Sequence, residues 1–161
     1  MDLEIFDKPR VTTSYIRGCI KATKKKYPGR NYLFFIDYLQ LIEGDPSLNG
    51  NRVQQISKIT RDLKVMAGEL GVTIHALSQL SRGLEQRQDK RPMMSDLRES
   101  GSIEQDADII QFLHREDYYD KETENQNMIE VIVAKQRDGA TGSVQLAFIK
   151  EYGKILNVSR G

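Results

Sequence analysis

The stretch Tyr32-Leu33-Phe34-Phe35-Ile36-Asp37-Tyr38-Leu39-Gln40-Leu41-Ile42 constrains this chain more than any other, because one carboxylate sits inside a run of apolar side chains. Five apolar residues precede Asp37 without polar alternation, the pattern of a parallel strand covered by helices on both faces. Asp37 then falls where that strand ends. In open parallel sheets the carboxyl ends of strands border the ligand crevice, so an acid there is well placed to hold a hydrated metal on a nucleotide phosphate. A turn-capping role is the plainer reading of Asp37, and the apolar run alone favours it.

The surroundings of the run shift that balance. Leu3 to Phe6, closed by Asp7-Lys8-Pro9, reads as a short strand ending in a turn. From Thr12 or Thr13, Tyr15, Ile16, Cys19, Ile20 and Tyr27 recur at helical spacing until Pro28-Gly29. Lys21, Lys24, Lys25, Lys26 and Arg30 cluster at the end of that helix, where cations favour the macrodipole; a solvated helix end explains them better than a DNA site. After Ile42, Glu43 to Gly50 carries turn chemistry and reads as a mobile loop at the crevice edge. Asn51 and Gln54 resemble a capping box, opening a helix with Val53, Ile56, Ile59, Leu63, Met66 and Leu70 on one face and Gly71 just past its end. Val72 to Leu77 is the next strand. Strand, crossover helix and strand at this length make a parallel right-handed unit, so the sheet is of the doubly wound α/β type. Ser78-Gln79 then ends its strand at the same crevice as Asp37, where the Gln79 amide can bond a terminal phosphate or its attacking water. An ordinary polar turn is the alternative.

Leu80 to Met94, with Arg82, Arg87, Lys90 and Arg91, is too polar to build a core and should be exposed. A helix break and restart follow, with Ser102 and Gln105 as a second capping pair. Ala107 to Leu113 reads as a buried strand with His114 at its end. Neither His75 nor His114 has a partner at metal-ligand spacing, so both are structural. Glu116 to Asn127 lacks an apolar period and reads as a solvated loop. Met128 to Gln136, Ser143 to Ile149 and Ile155 to Val158 form further strands, and their short connections imply antiparallel pairing. Lys135 and Arg137 are two apart, on one face if the strand runs that far.

A chain of 161 residues makes one domain as a prior. Its net charge of +1 does not announce nucleic acid, so any such contact comes from a local patch or from backbone donors in loops. The single cysteine, Cys19, excludes an internal disulfide and fits a reducing cytosol. No apolar segment has membrane length, and Met-Asp-Leu-Glu lacks a signal peptide's basic start; a soluble cytoplasmic protein with no membrane partner is the expectation.

Four segments carry a resemblance to a known family: residues 35–41, Leu77-Ser78-Gln79-Leu80-Ser81-Arg82, residues 91–108 from Arg91-Pro92 through Ser95-Asp96-Leu97-Arg98-Glu99-Ser100-Gly101 to Asp108, and Ala134-Lys135-Gln136-Arg137-Asp138-Gly139-Ala140-Thr141-Gly142. From Leu3 to about Val158 the chain is similar to the carboxyl-terminal motor domain of the DnaB family of replicative hexameric DNA helicases. The resemblance implies an α/β, RecA-like fold with a mixed, mainly parallel sheet flanked by helices and antiparallel strands at its carboxyl-terminal end. It implies that Asp37 is the Walker B acid that holds Mg²⁺ through water, and that Gln79 senses the terminal phosphate of ATP. Arg98, Glu99 and Gly101 match the inner-channel loop that holds single-stranded DNA. Lys135 and Arg137 match the pair that reaches the nucleotide of the neighbouring subunit, Arg137 as arginine finger, a role for which a strand-end arginine without a local partner is suited. Partners implied are other copies in a homo-hexamer, single-stranded DNA, a primase and a helicase loader.

One departure is large. The phosphate cradle G-x-x-x-x-G-K-[ST] does not occur, since the only Gly-Lys pair, Gly153-Lys154, is followed by Ile155. The family segments carrying the water-activating glutamate and the amino-terminal primase-interacting domain are missing too. The expectation is therefore an incomplete core, residues 1–161 forming the carboxyl-terminal portion of a RecA-like ATPase domain, either a piece of a longer protein or half of a split one. Alone it should not hydrolyse ATP. A different function, a non-catalytic module that docks on a full helicase ring and modulates it, is distinguished by whether a phosphate cradle is encoded upstream. A metal nuclease using Asp96, Glu99, Glu104, Asp106 and Asp108 fails on spacing.

Overall fold

The computed structural model describes residues 2–48, 50–97 and 101–158. The chain divides into two compact units, one of Met1–Gln79 with Glu99–Asp106 and one of Leu80–Arg98 with Ala107–Gly161.

In the first unit, α1 (Thr13–Lys26) starts where the Thr12 hydroxyl accepts the Tyr15 N–H at 3.2 Å. Then come β1 (Leu33–Ile36), α2 (Arg52–Leu70) and β2 (Thr73–Ala76). Asn51 caps α2 by accepting the Gln54 N–H at 3.2 Å, and Gly71 ends it in the left-handed region at φ 58°. The apolar period of each helix becomes its buried face: Ile16 and Ile20 of α1, and Ile56, Ile59, Leu63 and Met66 of α2. Each such side chain contributes roughly 1.5–3 kcal/mol on burial. Val53, assigned to the same stripe, is exposed, because it lies in the first turn of α2 at the edge of the packed region. A short helix α3 (Gly101–Asp106) joins this unit, with Ile103 buried and Asp106 accepting from Thr60 Oγ1 at 2.8 Å and Arg61 Nη1 at 3.2 Å. Since α3 opens at Gly101, Ser102 lies inside the helix and is not its cap; its hydroxyl, though buried, makes no hydrogen bond among the described residues.

β1 and β2 pair in parallel, Leu33 opposite Thr73 and Ile36 opposite Ala76. Two expectations change here. Leu33 and Phe35 are 55% and 65% exposed, so the apolar run is covered on one face only and alternates like a half-buried strand. Leu3 to Phe6 is not a strand: it has no neighbouring ladder, and the segment is held by Glu4, which accepts from Lys26, Tyr27 and Thr23. The lysine-rich end of α1 is largely solvated as read, with Lys21, Lys25, Lys26 and Arg30 exposed, while Lys24 donates to the Leu70 carbonyl.

The second unit is built on an antiparallel sheet in the order β3 (Ile109–His114), β4 (Met128–Gln136), β5 (Gly142–Ile149) and β6 (Lys154–Asn157). Parallel pairing among the described residues comprises the β1–β2 ladder and a single bridge between Val11 and Ile42, and the antiparallel strands fall at the carboxyl-terminal end as the sequence indicates. β3 alternates rather than being buried throughout, with Ile110 and Phe112 inside and Ile109 and Leu113 outside. Leu80 to Met94 is mostly exposed as read, yet it has an anchor. Leu84 is buried in a 3-10 turn (Arg82–Gln86), and Arg87 donates to Asp96 at 3.1 Å and to the carbonyls of Asp89 and Arg91. Glu116 to Asn127 is not a plain solvated loop. It opens with α4 (Glu116–Tyr119), and Asp117 within it is fully buried.

Candidate nucleotide and nucleic-acid site

The β1–β2 ladder continues past the formal strand ends and sets the geometry of the first unit's candidate residues. Leu77 N–H donates to the Ile36 carbonyl and Leu39 N–H to the Leu77 carbonyl, each at 2.9 Å, so Asp37-Tyr38 and Ser78-Gln79 leave the sheet side by side. The Asp37–Tyr38 peptide bond is cis. Asp37 is exposed and has neither an ion pair nor a hydrogen bond among the described residues. One open carboxylate at a strand end suits a divalent cation that keeps most of its water and takes its remaining ligands from phosphate. Asp37 would hold Mg²⁺ in that way. Among the described residues no group of three or more His, Cys, Asp or Glu is arranged to hold a metal directly. Gln79 is exposed beside it, its side-chain amide unengaged among the described residues.

Sequence reading passed over Gln40. It lies in a 3-10 turn (Leu39–Leu41), where its Nε2 donates to Ser78 Oγ at 3.1 Å and its Oε1 accepts the Gln79 N–H at 3.4 Å. Its carbonyl accepts from Arg52 Nη2 at 2.5 Å, tying the turn to the start of α2. The available signal was a polar residue among Leu39, Leu41 and Ile42, where a core-facing turn has no other use for an amide.

Of the three channel-loop positions, Arg98 and Glu99 lie outside the described residues. Gly101 opens α3, is exposed, and has nothing within 4 Å of where a Cβ would stand. The Asp106 contacts to α2 fix the other end of the helix.

In the second unit, Lys135 lies on β4 opposite Ile110, but β4 ends at Gln136 and Arg137 belongs to the turn that follows. The Arg137 N–H nevertheless carries the β3–β4 pairing one step further, to the Asp108 carbonyl at 2.9 Å. Arg137 is therefore not without a local partner, and its Nη1 is 3.2 Å from Asp108 Oδ1. Both side chains are about half exposed, and such a pair is worth at most about 1 kcal/mol, so the guanidinium is stored loosely.

Other charges in this unit are firmly committed. Arg91 forks onto Glu130 through Nε at 3.0 Å and Nη2 at 2.8 Å, and holds that carboxyl below its usual range. Asp117 accepts from Lys150 at 2.6 Å, from Arg115 at 3.1 Å and from the Asn127 N–H at 2.9 Å. Against the opposing effect of burial, Lys150 above all, then the Asn127 N–H and Arg115, push its pKa down to about 2. Burial keeps His114 below its ordinary value, which fits a structural histidine. A cavity of about 230 Å³ lined by Leu84, Pro92, Leu113, His114, Tyr118 and Tyr119 among others includes none of Asp37, Gln79, Lys135 and Arg137. No helix among the described residues is long and apolar enough to cross a membrane.

Known proteins share this pattern along almost the whole chain. The family model described as the DnaB-like helicase C terminal domain matches residues 1–157. The replicative DNA helicase DnaC of Bacillus subtilis is 59% identical over 156 residues, which cover 97% of this chain and 34% of that protein. DnaB of Geobacillus stearothermophilus is 58% identical over the same length and shares. Among solved structures, a DnaB-like replicative helicase studied with its interactions with primase superposes with a TM-score of 0.92 at 60% identity, covering 96% of this chain and 36% of that one. A second solved structure, of an ATPase domain, gives 0.93 at 60% identity, covering 96% and 54%. The chain thus spans about a third of the length of the curated relatives it matches. On the match to residues 1–157, and on strand ends that carry Asp37 and Gln79 side by side, the chain belongs to the family of DnaB-like helicase C-terminal domains.

Proposed function

We propose that this chain supplies part of a replicative motor that unwinds duplex DNA in the 5′ to 3′ direction, with ATP hydrolysed at the subunit interfaces of a homo-hexameric ring in the cytoplasm. The observation that supports it most is the parallel register that delivers Asp37 and Gln79 to adjoining strand ends. Asp37 orders the hydrated ion, and Gln79 offers its amide to the terminal phosphate. Mg²⁺, when bound, supplies charge neutralisation on the phosphates. Lys135 and Arg137 act on the nucleotide of a neighbouring subunit; for Arg137 this requires only that it give up a solvent-screened pair with Asp108. Arg98, Glu99 and the backbone at Gly101 hold single-stranded DNA, in a protein whose net charge of +1 leaves backbone donors as a natural means of contact. Primase and a helicase loader are the further partners of this reading.

The test is a chimera in which this chain replaces the matching third of the Bacillus subtilis helicase. The expected outcome is ATP-dependent unwinding of a forked duplex with a 5′ tail by the chimera, and no turnover by the 161-residue chain alone, which contains no phosphate cradle. A chimera that forms rings and binds ATP but does not unwind overturns the motor reading. Robust turnover by the isolated chain overturns the assignment of an incomplete site.

A further inference from the structure

We propose that Gln40 is a positioning residue, whose side-chain amide fixes the Ser78–Gln79 segment so that the Gln79 side chain is presented at one place beyond β2. The inference rests on the reading of Gln79 as the group that meets the terminal phosphate, and it adds a residue that acts on Gln79 rather than on the nucleotide.

The ladder explains why such a residue is needed. Leu77 is held at both its backbone groups, N–H to Ile36 and carbonyl to Leu39. Beyond it the sheet gives no further support. Among the described residues, the bonds that tie residues 78 and 79 to another part of their unit are the two made by the Gln40 amide. One end of that amide donates and the other accepts, so neither a hydrocarbon nor a carboxylate of the same length does both. Gln40 is itself immobilised from two sides, by the Arg52 guanidinium on its carbonyl and by the burial of Leu39 beside it. The clamp is therefore anchored in α2 and the core, and its free end grips the segment that carries Gln79. Placement matters because a displacement of about 1 Å at a reacting centre costs on the order of 10²-fold in rate.

Three substitutions test this. In the isolated chain, Gln40→Met keeps the length and removes both bonds, and should raise hydrogen exchange at the Gln79 amide about 5- to 10-fold, the scale of one hydrogen bond. Gln40→Glu keeps the acceptor and should restore most of that protection. In the chimeric helicase, Gln40→Met should lower kcat roughly 10- to 100-fold with the KM for ATP within about threefold, the split expected when a group acting only in the transition state is displaced. Gln40→Glu should recover part of the loss. Gln79→Ala separates the two readings. If it abolishes turnover while Gln40→Met keeps a normal kcat, or if exchange at Gln79 is unmoved by Gln40→Met, the positioning role is overturned alone. If Gln79→Ala itself turns over normally, the phosphate-sensing reading falls and takes the catalytic role of Gln40 with it.

Discussion

Asp37 and Asp117 are acids of the same kind treated in opposite ways. Asp117 is fully buried, takes two cations and a backbone N–H, and titrates at about 2. Asp37 stands exposed at the end of β1 and engages nothing among the described residues. The arginines divide likewise, with Arg91 forked onto a nearly buried Glu130 carboxylate and Arg137 resting on a half-exposed Asp108. A charge satisfied inside the fold holds elements together. A charge left open at the end of an ordered strand is available to a ligand, and substitution should tell the two kinds apart.

The largest effect is expected at Arg137. In the chimeric ring Arg137→Ala should cut turnover by about 10³ to 10⁵, the range seen for arginine fingers, while its own subunit still binds ATP. Mixing these subunits with others disabled in the phosphate cradle should restore some turnover; a linked dimer with one sound interface that stays inactive would place Arg137 within its own chain. Next comes Asp37→Asn, which removes several kcal/mol of charge stabilisation at the metal and should slow turnover about 10²- to 10³-fold. Thermal melting of the variant should be unchanged, since Asp37 has no ion pair or hydrogen bond to lose among the described residues; a fall in Tm would erase its contrast with Asp117.

Asp117→Asn should do the reverse, destabilising the isolated chain by roughly 2–4 kcal/mol in urea titrations. Arg115 and Lys150 then lose their counter-charge but remain partly hydrated, which keeps the loss below the top of the range for buried pairs. The pH dependence follows from the depressed pKa. An unfolded aspartate titrates near about 3.9, so the stabilisation is fully present above that pH and is lost as pH falls toward about 2. Wild type should lose stability across that window more steeply than Asp117→Asn, and parallel slopes would remove the carboxylate as the cause. The smallest effect belongs to Asp108→Asn, expected within about 1 kcal/mol because the pair with Arg137 is half exposed.

The caps of α1 and α2, the Gly71 stop, the parallel crossover and the antiparallel end were legible because each depends on local chemistry: a side-chain oxygen three residues before an N–H, a left-handed glycine, a short connection. Asp37 and Gln79 were legible for the same reason, each closing an apolar strand. What could not be read depends on pairing across the chain. Nothing near Asp117 in sequence announces Lys150, and nothing in Leu3 to Phe6 says that a sheet neighbour is lacking. Arg137 was expected without a local partner because Asp108 is 29 residues away and meets it only through the β3–β4 register. Gln40 was missed because its value lies in two bonds to the end of another strand.

Leu33 and Phe35, with Leu77 beyond β2, also govern how copies of this molecule behave toward one another in solution. Apolar strips attract, and a net charge of +1 supplies almost no repulsion to keep them apart. As a colloid the isolated chain is therefore poorly protected: light scattering should show attractive interparticle forces that rise with temperature and that added salt does little to relieve. A lysine introduced at Leu33, on the exposed face, would interrupt the apolar strip and add to the positive net charge, and should weaken that attraction without disturbing the helices beneath.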